Sequence, residues 1–126
     1  MARILIIDDE PAIALALQEI LNDEGHSTDV ANTGLSGLER LETGMKPDLI
    51  LIDLFLPGMS GRDIVLYMRQ CPRLTQIPAI LITGAVPNPH DFPPEESYQG
   101  FLAKPFDVMD VVEKVNSILQ DLCHAS

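Results

Sequence analysis

The sequence predicts an α/β domain built on a doubly wound sheet of five parallel strands, and three observations carry that prediction. Short apolar runs alternate with stretches of helical period along the whole chain. The runs at residues 4–7 and 49–52 are apolar on both faces, as strands covered by helices on two sides must be. Three of the runs end in a polar residue, Asp8, Asp53 and Thr83.

Each element follows from its own pattern. The first strand, residues 4–7, stops at Asp8-Asp9-Glu10, and Pro11 stands where a first helical turn tolerates proline. Ile13, Leu17, Ile20 and Leu21 then share one face until Gly25, which predicts a helix over residues 11–23. Residues 27–31 are short and β-leaning, and Thr33 can cap a second helix with Leu35, Leu38 and Leu41 on one side before Gly44. The third strand runs into Asp53, and Pro57, Gly58 and Gly61 break the chain beyond it. Ile64, Val65, Met68 and Cys71 mark a helix over residues 63–71 that ends before Pro72. Residues 77–83 give a fourth strand ending in a hydroxyl, and residues 101–103 give a fifth leading to Lys104 and Pro105. Asp107 caps the last helix, whose Val108, Val111, Val112, Val115, Ile118, Leu119 and Leu122 form the cleanest stripe in the chain.

Bulk properties narrow the function classes. The 126 residues suit one domain spanning 1–126, and 46% hydrophobic with 21% charged residues is ordinary for a soluble fold. Eight basic against 19 acidic residues, a formal charge of -11, disfavours direct binding to nucleic acid or an anionic membrane. Any effect on DNA is expected to pass through another domain or a partner. Cys71 and Cys123 are too few and too far apart to suggest a disulfide framework or a metal site. No signal-peptide core or membrane span stands out, so a cytoplasmic protein is expected.

Right-handed crossovers join such strands, and the flavodoxin-like order 2-1-3-4-5 reverses between strands one and three. Ligands bind there, beyond the strand ends that carry Asp8, Asp9 and Asp53. Two unit charges about 4 Å apart interact by roughly 4 kcal/mol at an effective dielectric near 20, so the cluster needs protons, a cation, or both. An all-oxygen cluster suits a hard ion such as Mg2+. Thr83 adds a hydroxyl donor and Lys104 a compact ammonium, and together these groups make a phosphoryl-transfer site. Taken singly, Asp53 is a strand-end carboxylate, Asp9 a helix cap, Thr83 a strand-end residue and Lys104 a solvated surface charge. Their joint placement at the ends of different apolar strands is what those readings explain poorly.

Four motifs in order give the chain its resemblance to the response regulator receiver domains of two-component signalling. They are Ile4-Leu5-Ile6-Ile7-Asp8-Asp9-Glu10-Pro11, then Leu49-Ile50-Leu51-Ile52-Asp53 with Pro57, Gly58 and Gly61, then Ile80-Leu81-Ile82-Thr83-Gly84, and finally Phe101-Leu102-Ala103-Lys104-Pro105-Phe106. The resemblance implies that Asp53 accepts a phosphoryl group from a histidine kinase or phosphotransfer protein. It implies that Asp8, Asp9, Asp53 and the Phe55 backbone carbonyl hold Mg2+, and that Lys104 and Thr83 bind phosphoryl oxygens. Thr83 and Phe101 would be the switch residues, although plain core packing also accounts for Phe101. A cis peptide between Lys104 and Pro105 is implied as well. Such a protein catalyses its own phosphorylation and dephosphorylation, is no metabolic enzyme, and passes its signal to an effector domain or protein.

Two features depart from the family pattern. Pro87, Pro89, Pro93 and Pro94 fall within eight residues where the family places its fourth helix, which is therefore expected to be shortened, displaced or absent. Its usual dimerisation face is not expected to carry over unchanged. Phe55 is bulky where many members carry a polar residue, and it is expected to hinder attacking water and slow loss of the phosphoryl group.

Competing readings remain on the page at this point. A Mg2+-dependent phosphohydrolase with an aspartate nucleophile would place nucleophile and acid two apart on the first strand, whereas Asp8 and Asp9 are adjacent. An FMN-binding protein needs donors in the first loop, where Asp9-Glu10-Pro11-Ala12 offers carboxylates. A degenerate interaction module without phosphate cycling has no need of the acidic pair, Thr83 and Lys104.

Overall fold

The apolar runs become the strands of one sheet in the computed structural model, which describes residues 2–84 and 89–124, the side chains of 89 and 121–124 excepted. The elements are β1 (Arg3–Ile7), α1 (Pro11–Asp23), β2 (Ser27–Ala31), α2 (Gly34–Thr43), β3 (Leu49–Asp53), α3 (Gly61–Gln70), β4 (Ala79–Thr83), β5 (Gly100–Ala103) and α4 (Val108–His124). The five strands are parallel in the order β2-β1-β3-β4-β5, as the sequence predicts.

Alternation along each strand divides the core in two. Leu5, Ile7, Ile50, Ile52 and Leu81 pack with Leu41 of α2 and with Ile64, Val65 and Met68 of α3. Ile4, Ile6, Leu49, Leu51, Ile80 and Ile82 pack with Ala14, Leu17 and Leu21 of α1 and with Val111, Val115 and Ile118 of α4. Every residue of β3 is buried. The same holds for β4, and since fully burying such an aliphatic side chain is worth about 1.5–3 kcal/mol, these two strands anchor the sheet.

Helices α2, α3 and α4 start where short polar side chains take the free amides. Thr33 accepts from the Ser36 N–H at 3.0 Å, Ser60 accepts from the Asp63 N–H at 3.1 Å, and Asp107 accepts from the Asp110 N–H at 2.9 Å. The cap at Ser60 starts α3 two residues before the sequence pattern predicts it. One expectation for α2 fails. Leu35 is 64% exposed, and the buried positions are Gly34, Gly37 and Leu41. A Cβ on Gly37 would lie 2.5 Å from Ile7 Cδ1, so α2 rests on β1 through Gly37 while Gly34 faces Met59 and Ile64, and this turns Leu35 to solvent.

Register carries the polar strand ends to one place. Ile7 pairs with Ile52, Asp53 with Ile82, and Thr83 with Ala103. Asp8 and Lys104 each follow directly on their strands, so four chemically active residues lie along one edge of the sheet. Gly61 begins α3 immediately beneath this edge. A Cβ there would press on the Asp53 carbonyl oxygen and lie 3.0 Å from Leu54 Cα.

Between β4 and β5 the described residues contain two single turns of 3-10 helix, Pro89–Asp91 and Glu95–Ser97, and no α-helix. Pro87 lies outside the described residues. Phe92 and Tyr98 pack on the α2–α3 side of the core with their rings 5.9 Å apart. Arg69 of α3 donates from Nε to the Ser97 carbonyl at 2.8 Å and from Nη1 to the Thr75 carbonyl at 3.0 Å. Burial holds this guanidinium below its ordinary pKa. Among the described residues, an irregular segment pinned by aromatic packing and one arginine stands where the fourth helix was expected.

Because backbone atoms cannot yield as a flexible side chain can, Gly61→Ala is expected to lower stability by about 1–3 kcal/mol. Urea denaturation measures this, and an unchanged midpoint would mean that α3 can withdraw from Asp53 at no cost.

Candidate functional site

The site is a short row of carboxylates closed by one ammonium. Asp8 is fully buried, Asp53 is 4% exposed and Thr83 is 3% exposed, each at the carboxyl end of its strand or just beyond it. Asp8 accepts the Glu10 backbone N–H at 2.9 Å, and Asp53 accepts the Phe55 backbone N–H at 2.9 Å. Each aspartate therefore has one oxygen fixed by the amide two residues on. The other oxygens face Lys104, whose Nζ lies 3.0 Å from Asp53 Oδ2 and 3.4 Å from Asp8 Oδ2.

Lys104 is set in place by its backbone, since its N–H donates to the Thr83 carbonyl at 2.7 Å and so extends the β4–β5 ladder past the strand end. Its side chain is only 12% exposed. The Lys104–Pro105 peptide is cis. Burial alone would lower the pKa of this ammonium, but hydrogen bonds to Glu10 and Asp53 and the charges of Asp53 and Asp8 raise it above the ordinary value. Asp8 is raised too, because burial outweighs the help from the Glu10 N–H and from Lys104.

Asp9 is exposed and lines the open mouth together with Glu10, Asp53, Phe55, Gly84 and Lys104. It does not cap α1, since the N-cap position belongs to Glu10, whose side chain makes no capping bond. The Glu10 carboxylate turns instead to Lys104 at 2.6 Å, across 94 positions of sequence. Glu10 is the site residue that sequence reasoning passed over. Its only signal is being a third consecutive acid, and nothing local says that it reaches a lysine at the far end of the chain.

Phe55 is 45% exposed beside Asp53. Phe101 is half exposed, and its ring meets that of Phe92 edge-on at 6.1 Å. Cys71 packs partly buried against the core as a free thiol, and the Cys123 side chain lies outside the described residues. Among the described residues, no helix is long and apolar enough to cross a membrane.

The donor set suits a hard cation. Asp8, Glu10 and Asp53 offer carboxylate oxygens within 4.8 Å of one another, and Asp8 Oδ2 is buried with no hydrogen-bond donor. Three carboxylates against one ammonium leave excess negative charge, and all-oxygen donors match a small divalent ion.

A family model described as "Response regulator receiver domain" matches residues 4–116. The chain belongs to that family. It is 33% identical over 120 residues to sporulation initiation phosphotransferase F of Bacillus subtilis, covering 93% of each. It is also 33% identical over 129 residues to the DNA-binding dual master transcriptional regulator RpaA of Synechocystis, covering 95% of this chain and 50% of that protein. The receiver thus spans about half the length of the DNA-binding relative. Among solved structures, a CheY-like receiver domain protein from Methanospirillum hungatei JF-1 superposes with a TM-score of 0.90 at 26% identity, covering 100% of this chain and 99% of the other. The phosphohydrolase and FMN-protein readings therefore give way to a receiver fold and a signalling role.

The raised pKa of Asp8 fixes the sign of a pH effect. The folded receiver holds this proton more tightly than the unfolded chain, so the Asp8 charge costs stability as pH rises through a window that opens at the ordinary value of 3.8. Asp8→Asn is expected to be more stable than wild type at pH 7 in metal-free buffer, with the gap closing as pH falls toward 3.8. Thermal unfolding across that range checks it, and equal stability at pH 7 would contradict it.

Proposed function

We propose that the receiver, spanning residues 1–126, is a phosphorylation-dependent switch whose acceptor is Asp53. The observation that carries this reading is a buried carboxylate at an open mouth, with one oxygen held by the Phe55 N–H and the other facing the Lys104 ammonium. The relative whose name marks it as a phosphotransferase matches along nearly the whole chain, which supports the same reading. The donor is a phosphohistidine on a histidine kinase or phosphotransfer protein.

In the transfer, an Asp53 oxygen forms the new bond to phosphorus while the P–N bond breaks and its electron pair leaves with the imidazole. Lys104 neutralises charge on the phosphoryl oxygens, and the Thr83 hydroxyl donates to one of them. Mg2+ held by Asp8, Asp9, Asp53 and the Phe55 carbonyl would supply further neutralisation of phosphoryl charge when bound. Water later attacks the same phosphorus, the bond to Asp53 breaks with its electron pair returning to the carboxylate, and inorganic phosphate leaves, so the protein catalyses both its loading and its resetting. Phe55 stands at the mouth and hinders that water. Thr83 and Phe101 relay the change of state to the β5 face, where Phe101 touches the proline-rich segment.

The output passes to an effector domain or protein, as the length of the DNA-binding relative suggests. The receiver itself makes no direct contact with nucleic acid or membrane, in keeping with a formal charge of -11, and it acts in the cytoplasm.

Incubation with Mg2+ and acetyl phosphate, followed by intact-mass measurement, tests the acceptor. Wild type should gain one phosphoryl mass and Asp53→Asn none; an unlabelled wild type, or equal labelling of the variant, would sink the proposal. Phe55→Asn should lose the label faster than wild type, and an unchanged or slower decay would remove Phe55 from the account of hydrolysis.

A further inference from the structure

The ammonium of Lys104 does not sit midway among its three carboxylates. It is 2.6 Å from Glu10, 3.0 Å from Asp53 and 3.4 Å from Asp8. Its shortest contact is thus with the outermost and most exposed acid, whose side chain is 57% exposed, rather than with the buried pair, where attraction is less screened. Asp8 Oδ2 pays for this arrangement, since it is buried and receives no hydrogen bond although an ammonium lies close by.

Local chemistry explains why Glu10 is available. It occupies the N-cap of α1, and an N-cap side chain ordinarily turns back to the first free amides of its helix. The side chain of Glu10 makes no such bond, and Pro11 behind it has no amide to offer. The Glu10 backbone is meanwhile tied to Asp8 through the bond from its N–H to Asp8 Oδ1. One short loop therefore holds both the inner acid and the outer acid in fixed relation.

We propose that Glu10 is a positioning residue for Lys104: its carboxylate draws the ammonium toward the outer edge of the cluster, where it bonds Asp53 Oδ2, and so leaves the inner Oδ2 of Asp8 open to a cation. Without it, Lys104 shifts inward onto Asp8, supplies the donor that Asp8 Oδ2 lacks, and competes with the metal for that oxygen. The proposal rests on the receiver reading for its biological use. Its test needs no phosphoryl transfer, so the two can fail separately.

The experiment combines a structure of E10Q with Mg2+ affinity measured by isothermal calorimetry on wild type, E10Q, K104M and the double variant. In E10Q, Lys104 Nζ is expected to close on Asp8 Oδ2 from 3.4 Å to the roughly 2.8 Å of a charge-assisted hydrogen bond, and Mg2+ binding is expected to weaken by roughly tenfold. In the K104M background the same Glu10 substitution should cost only about twofold, the residue of direct attraction between an exposed carboxylate and the ion. An ammonium that stays where it is in wild type, or an equal or larger loss in the K104M background, would overturn the proposal and make Glu10 a direct contributor of charge to the ion. A wild type that binds no Mg2+ would overturn it too. A wild type that accepts phosphoryl mass while E10Q leaves Lys104 unmoved would defeat this inference and leave the function standing.

Discussion

The compensation of Asp53, Asp8 and Glu10 by a single ammonium is the constraint on which the rest of this molecule turns. Strands β1 and β3 are neighbours in the sheet, so the carboxylates that end them must face each other at close range. Hydrophobic burial drives those strands together without regard to what they carry at their tips. The chain answers with Lys104, delivered from the far side of the sheet by the β4–β5 pairing. That answer is incomplete by charge, which is why burial still dominates at Asp8 while ion pairing dominates at Lys104. A resting site that stays short of positive charge is suited to take up a cation.

The departure from the family lies at a distance from this chemistry. Prolines within residues 87–94 remove both the amides and the backbone freedom that a helix needs. The described part of the segment survives by other means: Phe92 and Tyr98 fill the space over β4, and Arg69 holds the chain by neutral carbonyls. Phe101 reaches the segment through an edge-on ring contact with Phe92. Strand β5, which leads to Lys104, and the irregular segment therefore touch through one aromatic pair.

Legibility tracked the range of the interactions. The strand runs, α1, the Thr33 and Asp107 caps and the polar strand ends could be read because each is set by neighbours within a few residues. The face of α2 could not, because Leu35 follows the helical period as well as Leu41 does. Only the close rest of Gly37 on Ile7 decides which way the helix turns. At the site, Asp8, Asp53, Thr83 and Lys104 stood out as polar residues ending apolar runs. Glu10 did not, since its importance lies in a contact with Lys104 that no local pattern encodes.

By itself the sequence determined the order of strands and helices, the family, and the list of polar groups that end the apolar runs. It could do so because period, turn residues and strand-end polarity are local properties of the chain. Tertiary structure alone decided how those groups share one ammonium, which oxygen of Asp8 goes without a donor, and that a third acid, Glu10, takes the shortest contact. The reason is electrostatic: the balance depends on differences of a few tenths of an ångström among charges that meet only after the sheet has formed.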